Sequence, residues 1–276
     1  MLRLFFFEQL TFVPGSTPFL DGSQGFLLQD IEVDSTSTHP GGLGSIGDVV
    51  VVPMEREAGE IIFYGPDDGN LFSYTELSRL ALGAQGELEQ PTPGGGWAAA
   101  SVSMVQLVSG RYLMFVAGRW SGRGPGWFYL SDQDAIDEHT TWKFLDTWTP
   151  DCTANPENGH PGNCWVGAEN SILFSQCDGQ VFLVGLAAAD FFLNPQSYAS
   201  VRRLTQTAGS QEIEAVHVAT LVGDGPGALG VGDASFRWGA TMSVGPSGSI
   251  AVEMTERDID GTGSNTSISI AKFRPL

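Results

Sequence analysis

The sequence predicts an all-β fold, a β-propeller of about five blades, from three observations. Strand-like runs of about five to eight residues, rich in Val, Ile, Phe and Leu, recur along the chain. Turns containing glycine separate these runs, and the 276 residues include 36 glycines and 15 prolines. No stretch sustains the apolar i, i+3, i+4, i+7 spacing of an amphipathic helix. We therefore expect residues 1–276 to form a single propeller domain.

The strand-like runs group into clusters, which we interpret as blades. The clusters occupy residues 48–82, 98–145, 170–204, 212–221 and 236–272. Sheets of three or four antiparallel strands, each opening with an inner strand rich in small residues, are how radial propellers are built. A two-sheet sandwich or jelly roll would have a similar density of turns and is the alternative fold.

The N-terminal segment is predicted to be a strand. Three phenylalanines follow a single positive charge, and Glu8 ends the apolar run too early for a signal peptide. Pairing of residues 2–10 with the last blade would close the ring of sheets and remove unpaired strand edges.

The charge balance restricts the partners of the protein. Thirteen basic and 32 acidic residues give a formal net charge of −19, which disfavours nucleic acid and anionic membranes as partners. A neutral or cationic small molecule, such as a saccharide, fits this charge better. The four histidines have no zinc-ligand spacing, so we expect no metal and no cofactor. We also expect a monomer.

The three cysteines are the first indication of the cellular compartment in which the protein is found. Cys152 and Cys164 bracket a polar loop with two prolines, for which a disulfide is the preferred interpretation and reduced surface thiols are the alternative. Cys177 is expected to be an unpaired strand residue. A glycosylation sequon at Asn265 adds to the expectation of a secreted protein, with any export signal outside this sequence.

Several segments share motifs with known propellers. They are Ile46-Gly-Asp48-Val-Val-Val, Trp97-Ala-Ala-Ala-Ser-Val with Gly110-Arg-Tyr-Leu-Met-Phe, Glu169-Asn-Ser-Ile-Leu-Phe with Asp178-Gly-Gln-Val-Phe-Leu-Val, and Glu214-Ala-Val-His217. The residues of these segments and their order along the chain resemble the starts of blades in five-bladed glycoside hydrolases of the arabinanase and β-xylosidase group. A second, weaker similarity links the segment from Phe236 to sialidase-like propellers, and such repeats mark a fold rather than a reaction.

The first resemblance implies three catalytic carboxylates. Asp48 would be the general base, Glu169 the orienting carboxylate that modulates the pKa of the acid, and Glu214 the general acid. This chemistry requires one carboxyl to stay protonated while its partner is ionised. The chain departs from the family pattern, because no proline follows any of the three carboxylates and a glutamate replaces the central aspartate.

Aromatic residues supply candidates for ligand contacts. The chain has seven tryptophans, and several lie beside glycines near expected strand starts. Aromatic faces stack on sugar rings or on apolar ligands. We therefore expect Trp97, Trp165, Trp238 and His217 to line a central pocket, although packing between blades is the alternative role for most tryptophans.

These observations lead to three hypotheses of function. The first is a carbohydrate-active propeller that binds a glycoside in its central pocket and could hydrolyse it. The second uses an aromatic pocket for cyclisation in secondary metabolism, because some fungal propellers similar to this hydrolase group catalyse hetero-Diels–Alder reactions. The third is a lectin without catalysis. The sequence leaves open whether the chain is an enzyme, since a hydrolase needs juxtaposed carboxyls and a cyclase needs mainly apolar walls.

Overall fold

A computed structural model gives the fold of most of the chain. It describes residues 2–7, 27–34, 41–54, 59–67, 70–82, 99–118, 125–149, 170–189, 196–206, 212–223, 234–244, 250–256 and 270–273. Within these ranges the regular structure consists of strands alone, which confirms the all-β prediction.

The described strands form five antiparallel sheets. A two-stranded sheet pairs β1 (Leu2–Phe7) with β2 (Leu27–Asp34). The first blade has the order β3 (Gly44–Ile46), β4 (Val49–Met54), β5 (Glu60–Asp67), β6 (Asn70–Ala81). The second blade comprises β7 (Ala99–Gln106), β8 (Tyr112–Gly118), β9 (Gly126–Ser131), β10 (Trp142–Trp148). The third blade comprises β11 (Asn170–Ser175), β12 (Val181–Ala189), β13 (Gln196–Gln206), β14 (Ile213–Gly223). The fourth comprises β15 (Ala234–Val244), β16 (Ile250–Glu256), β17 (Ile270–Phe273).

The first strands of successive blades lie side by side. Gly42 forms a parallel bridge with Ser101, in which the Gly42 N–H donates to the Ala100 carbonyl at 2.8 Å. The neighbouring Gly41 permits this approach, since a Cβ there would lie 2.3 Å from the Ala100 oxygen. The Oγ atoms of Ser101 and Ser171 are 2.9 Å apart and join β7 to β11, and β15 contacts β11 in turn. This radial arrangement of sheets is that of a β-propeller. The expectation of about five blades stays a prediction.

Two hairpin turns at the end of the inner strands have the same structure. Gly110 donates its N–H to the Leu107 carbonyl after β7, and Gly179 donates to the Gln176 carbonyl after β11, both at 2.9 Å. The two glycines have φ values of 86° and 83°, which L side chains rarely adopt. A Cβ on Gly179 would lie 3.1 Å from Val108, so the two turns are neighbours. The strands β7 and β11 therefore run in the same direction.

The apolar core lies between neighbouring blades. Phe63 of the first blade stacks on Trp142 of the second, with ring centroids 5.3 Å apart and an interplanar angle of 11°. Phe115 of the second blade packs in one cluster with Leu183 and Ile213 of the third. Because the second blade packs against the apolar faces of both the first and the third, burial between sheets is a main driving force for this part of the architecture.

One blade boundary differs from the sequence-based prediction. The prediction that a fourth blade opens at residues 212–221 is wrong, because this segment is β14, the outermost strand of the third blade. Its buried Ile213 and Ala215 alternate with exposed neighbours, a pattern that inner and outer strands share. At the N-terminus, β1 pairs with β2, with Phe5 opposite Asp30, and the described strand pairings do not join it to β15–β17. Ring closure by β1 stays a prediction.

Two carboxylates hold the loop between β9 and β10. Asp132 accepts hydrogen bonds from the Thr141 N–H at 2.9 Å and the Thr141 hydroxyl at 2.7 Å. Asp137 accepts from the His139 N–H at 2.8 Å and from the Gln133 amide at 2.7 Å. These bonds stabilise the charged carboxylates, so the hydroxyl of Thr141 lowers the pKa of Asp132 and the N–H of His139 lowers the pKa of Asp137.

The lowered pKa values predict a loss of stability in acid. A carboxyl whose pKa is lower in the folded state stabilises the fold above its ordinary pKa of 3.8, and this contribution disappears as the pH falls through the folded value. We expect the urea midpoint of an Asp132→Asn, Asp137→Asn double variant to fall less steeply than that of the wild type below about pH 5. Parallel pH profiles for the two proteins would contradict this.

Candidate functional site

Asp48, the predicted general base, lies towards the end of the inner strands that is opposite to the start of β7 and β11. It is exposed in the turn that joins β3 to β4. The preceding strand runs parallel to β7, starting from Gly42 beside Ser101. Six residues of extended chain span roughly 20 Å, so Asp48 lies far from the place where β7 and β11 begin.

Glu214, the predicted general acid, lies on an outermost strand. It is exposed on β14, opposite Thr205 of β13. His217 follows on the same strand, is half-buried, and lies opposite Arg202. The paired carboxyls of glycosidases are about 5 to 9.5 Å apart. Because Asp48 follows an inner strand and Glu214 is on an outer one, the described residues do not bring these two carboxylates together as such a pair.

Of the remaining residues predicted for the site, Trp238 lies within a described range. Trp238 lies in β15, in the interval between Ser235 and Ala240 where the register with β16 shifts. Several predicted residues fall outside the described ranges; they are Trp97, Glu169, Trp165, Cys152 and Cys164. Cys177 is an exposed free thiol in the turn after β11, not a strand residue as the sequence suggested.

Small polar side chains line the contact between β7 and β11. Besides the bond between Ser101 and Ser171, the Ser103 hydroxyl donates to Ser171 at 3.4 Å. All three serines are buried, as is Asn170 at the start of β11. Because their hydroxyls are paired with one another and closed off from water, the serines serve to pack the inner strands.

A cleft opens between the outermost strands of the second and third blades. Its volume is about 520 Å³, within the range of small-molecule sites. It is lined by Leu145, Asp146, Thr147, Trp148, Thr149, Glu212, Ile213 and Glu214. The sequence predicted a ligand in the central pocket, whereas this cleft lies at the outer side of the sheets.

An irregularity in β10 directs Asp146 towards the third blade. The register with β9 shifts between Phe144 and Asp146, and such a bulge re-aims the side chain that follows it. The Asp146 Oδ2 accepts the backbone N–H of Ile213 at 2.7 Å, and its Oδ1 accepts the N–H of Thr147 at 2.8 Å. One carboxylate thus joins the outer edges of two blades.

Trp148 forms a rigid wall of the cleft. The guanidinium carbon of Arg202 lies 5.2 Å from the centre of its ring, while Phe115 packs against it at 6.2 Å with a tilt of 58°. Arg202 is buried and donates from Nη1 to the Ala215 carbonyl at 3.2 Å. The cation–π contact and this hydrogen bond hold Trp148 from the side of the third blade.

Polar groups form the rest of the cleft. Glu214 on β14 and Glu212 just before this strand are exposed, with the buried Ile213 between them. On β10, the Thr147 Oγ1 is buried and has no hydrogen-bond partner among the described residues. Thr149 is exposed just after the strand. The cleft therefore presents carboxylates and the Thr149 hydroxyl at the outer edges of two blades.

Asp146 and Arg202 are site residues that the sequence did not predict. A carboxylate between the aromatic residues Phe144 and Trp148 at alternate positions of a strand was the available signal for Asp146. For Arg202, the charge inside the strand-like run of the third cluster was the only sign. Neither position revealed its partner, because the Asp146–Ile213 contact joins residues 67 positions apart.

Within the described ranges, no group of three or more His, Cys, Asp or Glu residues is placed to hold a metal ion. None of the described segments is a helix long and apolar enough to cross a membrane.

Comparison with known proteins gives only distant similarities. No protein-family model and no curated protein matches the chain. The chain is similar to an intramolecular trans-sialidase from Ruminococcus gnavus, solved in complex with oseltamivir carboxylate, with a TM-score of 0.41, 14% identity, and coverage of 85% of this chain and 42% of that one. It is also similar to a leech intramolecular trans-sialidase complexed with 2,7-anhydro-Neu5Ac, with a TM-score of 0.40, 12% identity, and coverage of 82% of this chain and 29% of that one. A third similarity is to a bifunctional GH43-CE protein of Bacteroides eggerthii, with a TM-score of 0.34, 13% identity, and coverage of 80% of this chain and 28% of that one. The chain spans less than half the length of each of these proteins, and no activity is carried over from them.

Proposed function

We propose that this chain binds a saccharide in the cleft between β10 and β14. The observation that carries the proposal is the lining, in which the polar side chains of Thr149 and Glu214 lie beside the apolar side chains of Leu145 and Ile213. A sugar presents hydroxyls around its edge and C–H groups on its faces. Hydroxyl and carboxylate oxygens accept hydrogen bonds from the former, while apolar side chains pack against the latter.

The walls of the cleft are held in place before a ligand arrives. Asp146 ties β10 to Ile213 of β14, and Arg202 supports Trp148 from behind. A ligand that binds between fixed walls does not incur the entropic cost of ordering them. This rigidity favours recognition of a flexible, polar molecule by a site of modest size.

We propose binding without hydrolysis by the three carboxylates that the resemblance implies. Asp48 is far from the beginning of the inner strands, and Glu214 is exposed to water on an outer strand. A general acid of a glycosidase is shielded from water, which keeps its carboxyl protonated. The exposure of Glu214 therefore favours a role in ligand contact.

Calorimetric titration of the intact chain with arabino-, xylo- and galacto-oligosaccharides tests the proposal. We expect at least one of these ligands to bind, and we expect Glu214→Ala to weaken its affinity about tenfold, because a hydrogen bond to a charged group contributes about 1.5–3 kcal/mol. Glu138→Ala is the matched control, since Glu138 is a 74% exposed carboxylate in the β9–β10 loop and does not line the cleft.

The outcomes separate the hypotheses. Absence of binding by folded wild-type protein, or an equal loss in both variants, would refute the cleft as a saccharide site. Turnover of the corresponding aryl glycosides that disappears in Glu214→Gln would instead support hydrolysis with this residue as the acid.

A further inference from the structure

The outermost strand of the third blade presents an edge to which another β-strand can be added. In the described sheet order, β14 has β13 on one side and is the last strand on the other. Its sequence, IEAVHVATLVG, contains neither Lys nor Pro, the residues that most often keep edge strands from pairing with other chains. The composition of the strand itself therefore gives this edge little protection.

The backbone groups that an added strand would bind belong to Ile213 and Ala215. These residues lie opposite Gln206 and Leu204 of β13 and are two positions apart, so their N–H and C=O groups point to the same side of β14. The Ile213 N–H donates to Asp146 of β10, a strand of a different blade. The backbone groups of Ile213 and Ala215 therefore point away from β13, towards the outer edge.

Two charged side chains occupy these groups. Asp146 Oδ2 accepts the Ile213 N–H at 2.7 Å, and Arg202 Nη1 donates to the Ala215 carbonyl at 3.2 Å. Arg202 reaches this carbonyl from β13, whereas Asp146 comes from the register shift in β10 that re-aims its side chain. Hydrogen bonds to ionised groups are about twice as strong as those between neutral groups. A strand that approached this edge would have to displace stronger bonds than it could form.

We propose that Asp146 and Arg202 block the outer edge of the third blade against pairing with β14 of a second copy of this chain. Two identical edge strands can pair antiparallel about a two-fold axis, so a second copy is the partner that an open β14 edge would fit. Each copy would then offer the Ile213 N–H and the Ala215 carbonyl to the other. This inference does not depend on ligand binding in the cleft.

Sedimentation velocity of the intact chain tests the block by comparing the wild type with Asp146→Ala. The measurement is made in about 0.15 M salt, where repulsion between the two acidic chains is screened beyond about 8 Å. We expect the wild type to stay monomeric. We expect Asp146→Ala to dimerise with a dissociation constant at least about tenfold lower, because the Ile213 N–H of each copy becomes available and each backbone hydrogen bond contributes a factor of a few.

Asp132→Ala is the matched control. It removes a carboxylate that also accepts a backbone N–H, that of Thr141, and it changes the net charge equally. Thr141 directly precedes β10, whereas Asp146 lies near the other end of this strand. We therefore expect the control to sediment as the wild type does.

Two further variants connect the association to the β14 edge. Arg202→Met leaves Asp146 in place and frees the Ala215 carbonyl, so it should lower the dissociation constant at least about threefold. It decides the question alone if circular dichroism shows that Asp146→Ala does not fold. Val218→Glu, added to Asp146→Ala, places a negative charge on a side chain of β14 that is 54% exposed and should restore the monomer.

Each outcome supports or overturns the block. Folded Asp146→Ala and Arg202→Met proteins that are as monomeric as the wild type would overturn it, and so would a wild type that dimerises as strongly as the variants. Equal dimerisation of Asp132→Ala would assign the effect to the lost charge instead of the edge. Dimers that persist after Val218→Glu is added would show that the copies associate through another surface.

Discussion

Phe63→Ala is expected to lower the free energy of unfolding by about 3–5 kcal/mol. The Phe63 ring is fully buried and stacks on Trp142 of the neighbouring blade. Its removal leaves a cavity between two sheets, and each sheet is held by its own hydrogen bonds, so neither can collapse freely to fill the space. The loss therefore includes both the transfer free energy of the ring and the cost of the cavity.

Unfolding in urea, followed by tryptophan fluorescence and by circular dichroism, measures this loss. Val108→Ala is the control, because Val108 is 89% exposed and its truncation should change stability by less than about 0.5 kcal/mol. A change below about 1 kcal/mol for Phe63→Ala would show that the Phe63–Trp142 stack is not a core contact.

Gly41→Ala is the second substitution with a large expected effect. A Cβ at this position would lie 2.3 Å from the carbonyl oxygen of Ala100, an atom of the backbone that cannot rotate away. The segment before β3 would have to move away from β7 and would break two hydrogen bonds, Gly42 N–H to Ala100 and Val102 N–H to Gly42. We expect a loss of about 3–5 kcal/mol, because overpacking costs about 1–3 kcal/mol and each of the two bonds about 1 kcal/mol.

Gly47→Ala provides the matched comparison. A Cβ at Gly47 would meet no atom within 4 Å, but its φ of 55° is unfavourable for alanine and should cost about 1 kcal/mol. The expected order of unfolding midpoints is therefore wild type, Gly47→Ala, then Gly41→Ala. The reverse order of the two variants would mean that the first and second blades do not approach closely at Gly41.

The parts of the fold that the sequence predicts are those with local causes. Strand alternation and glycine turns, such as Ser109-Gly110 and Asp178-Gly179, depend on a few consecutive residues and identify the all-β class. The position of a strand within its sheet depends on distant neighbours. The segment containing Ile213 and Ala215 therefore looks like the opening of a blade, although it forms the outer edge of one.

The candidate site was predicted only in part for a similar reason. Glu214 was identified through a motif, and it does line the described cleft, but in a different place from the central channel. Asp146 and Arg202 depend on register shifts in β10 and between β13 and β14, which alternating patterns do not encode. A site made where two sheets meet is visible only once the order of the sheets is known.

The matching turns after β7 and β11 show that the second and third blades each form their first hairpin through local contacts. The bonds that define each turn join residues no more than four positions apart, Leu107 with Arg111 in one case and Gln176 with Gln180 in the other. A module that shapes its own hairpin can be repeated along a chain, provided that its apolar faces still pack against the neighbouring modules. The architecture can thus be enlarged by adding whole blades, and new surfaces arise wherever the outer strands of consecutive modules come together.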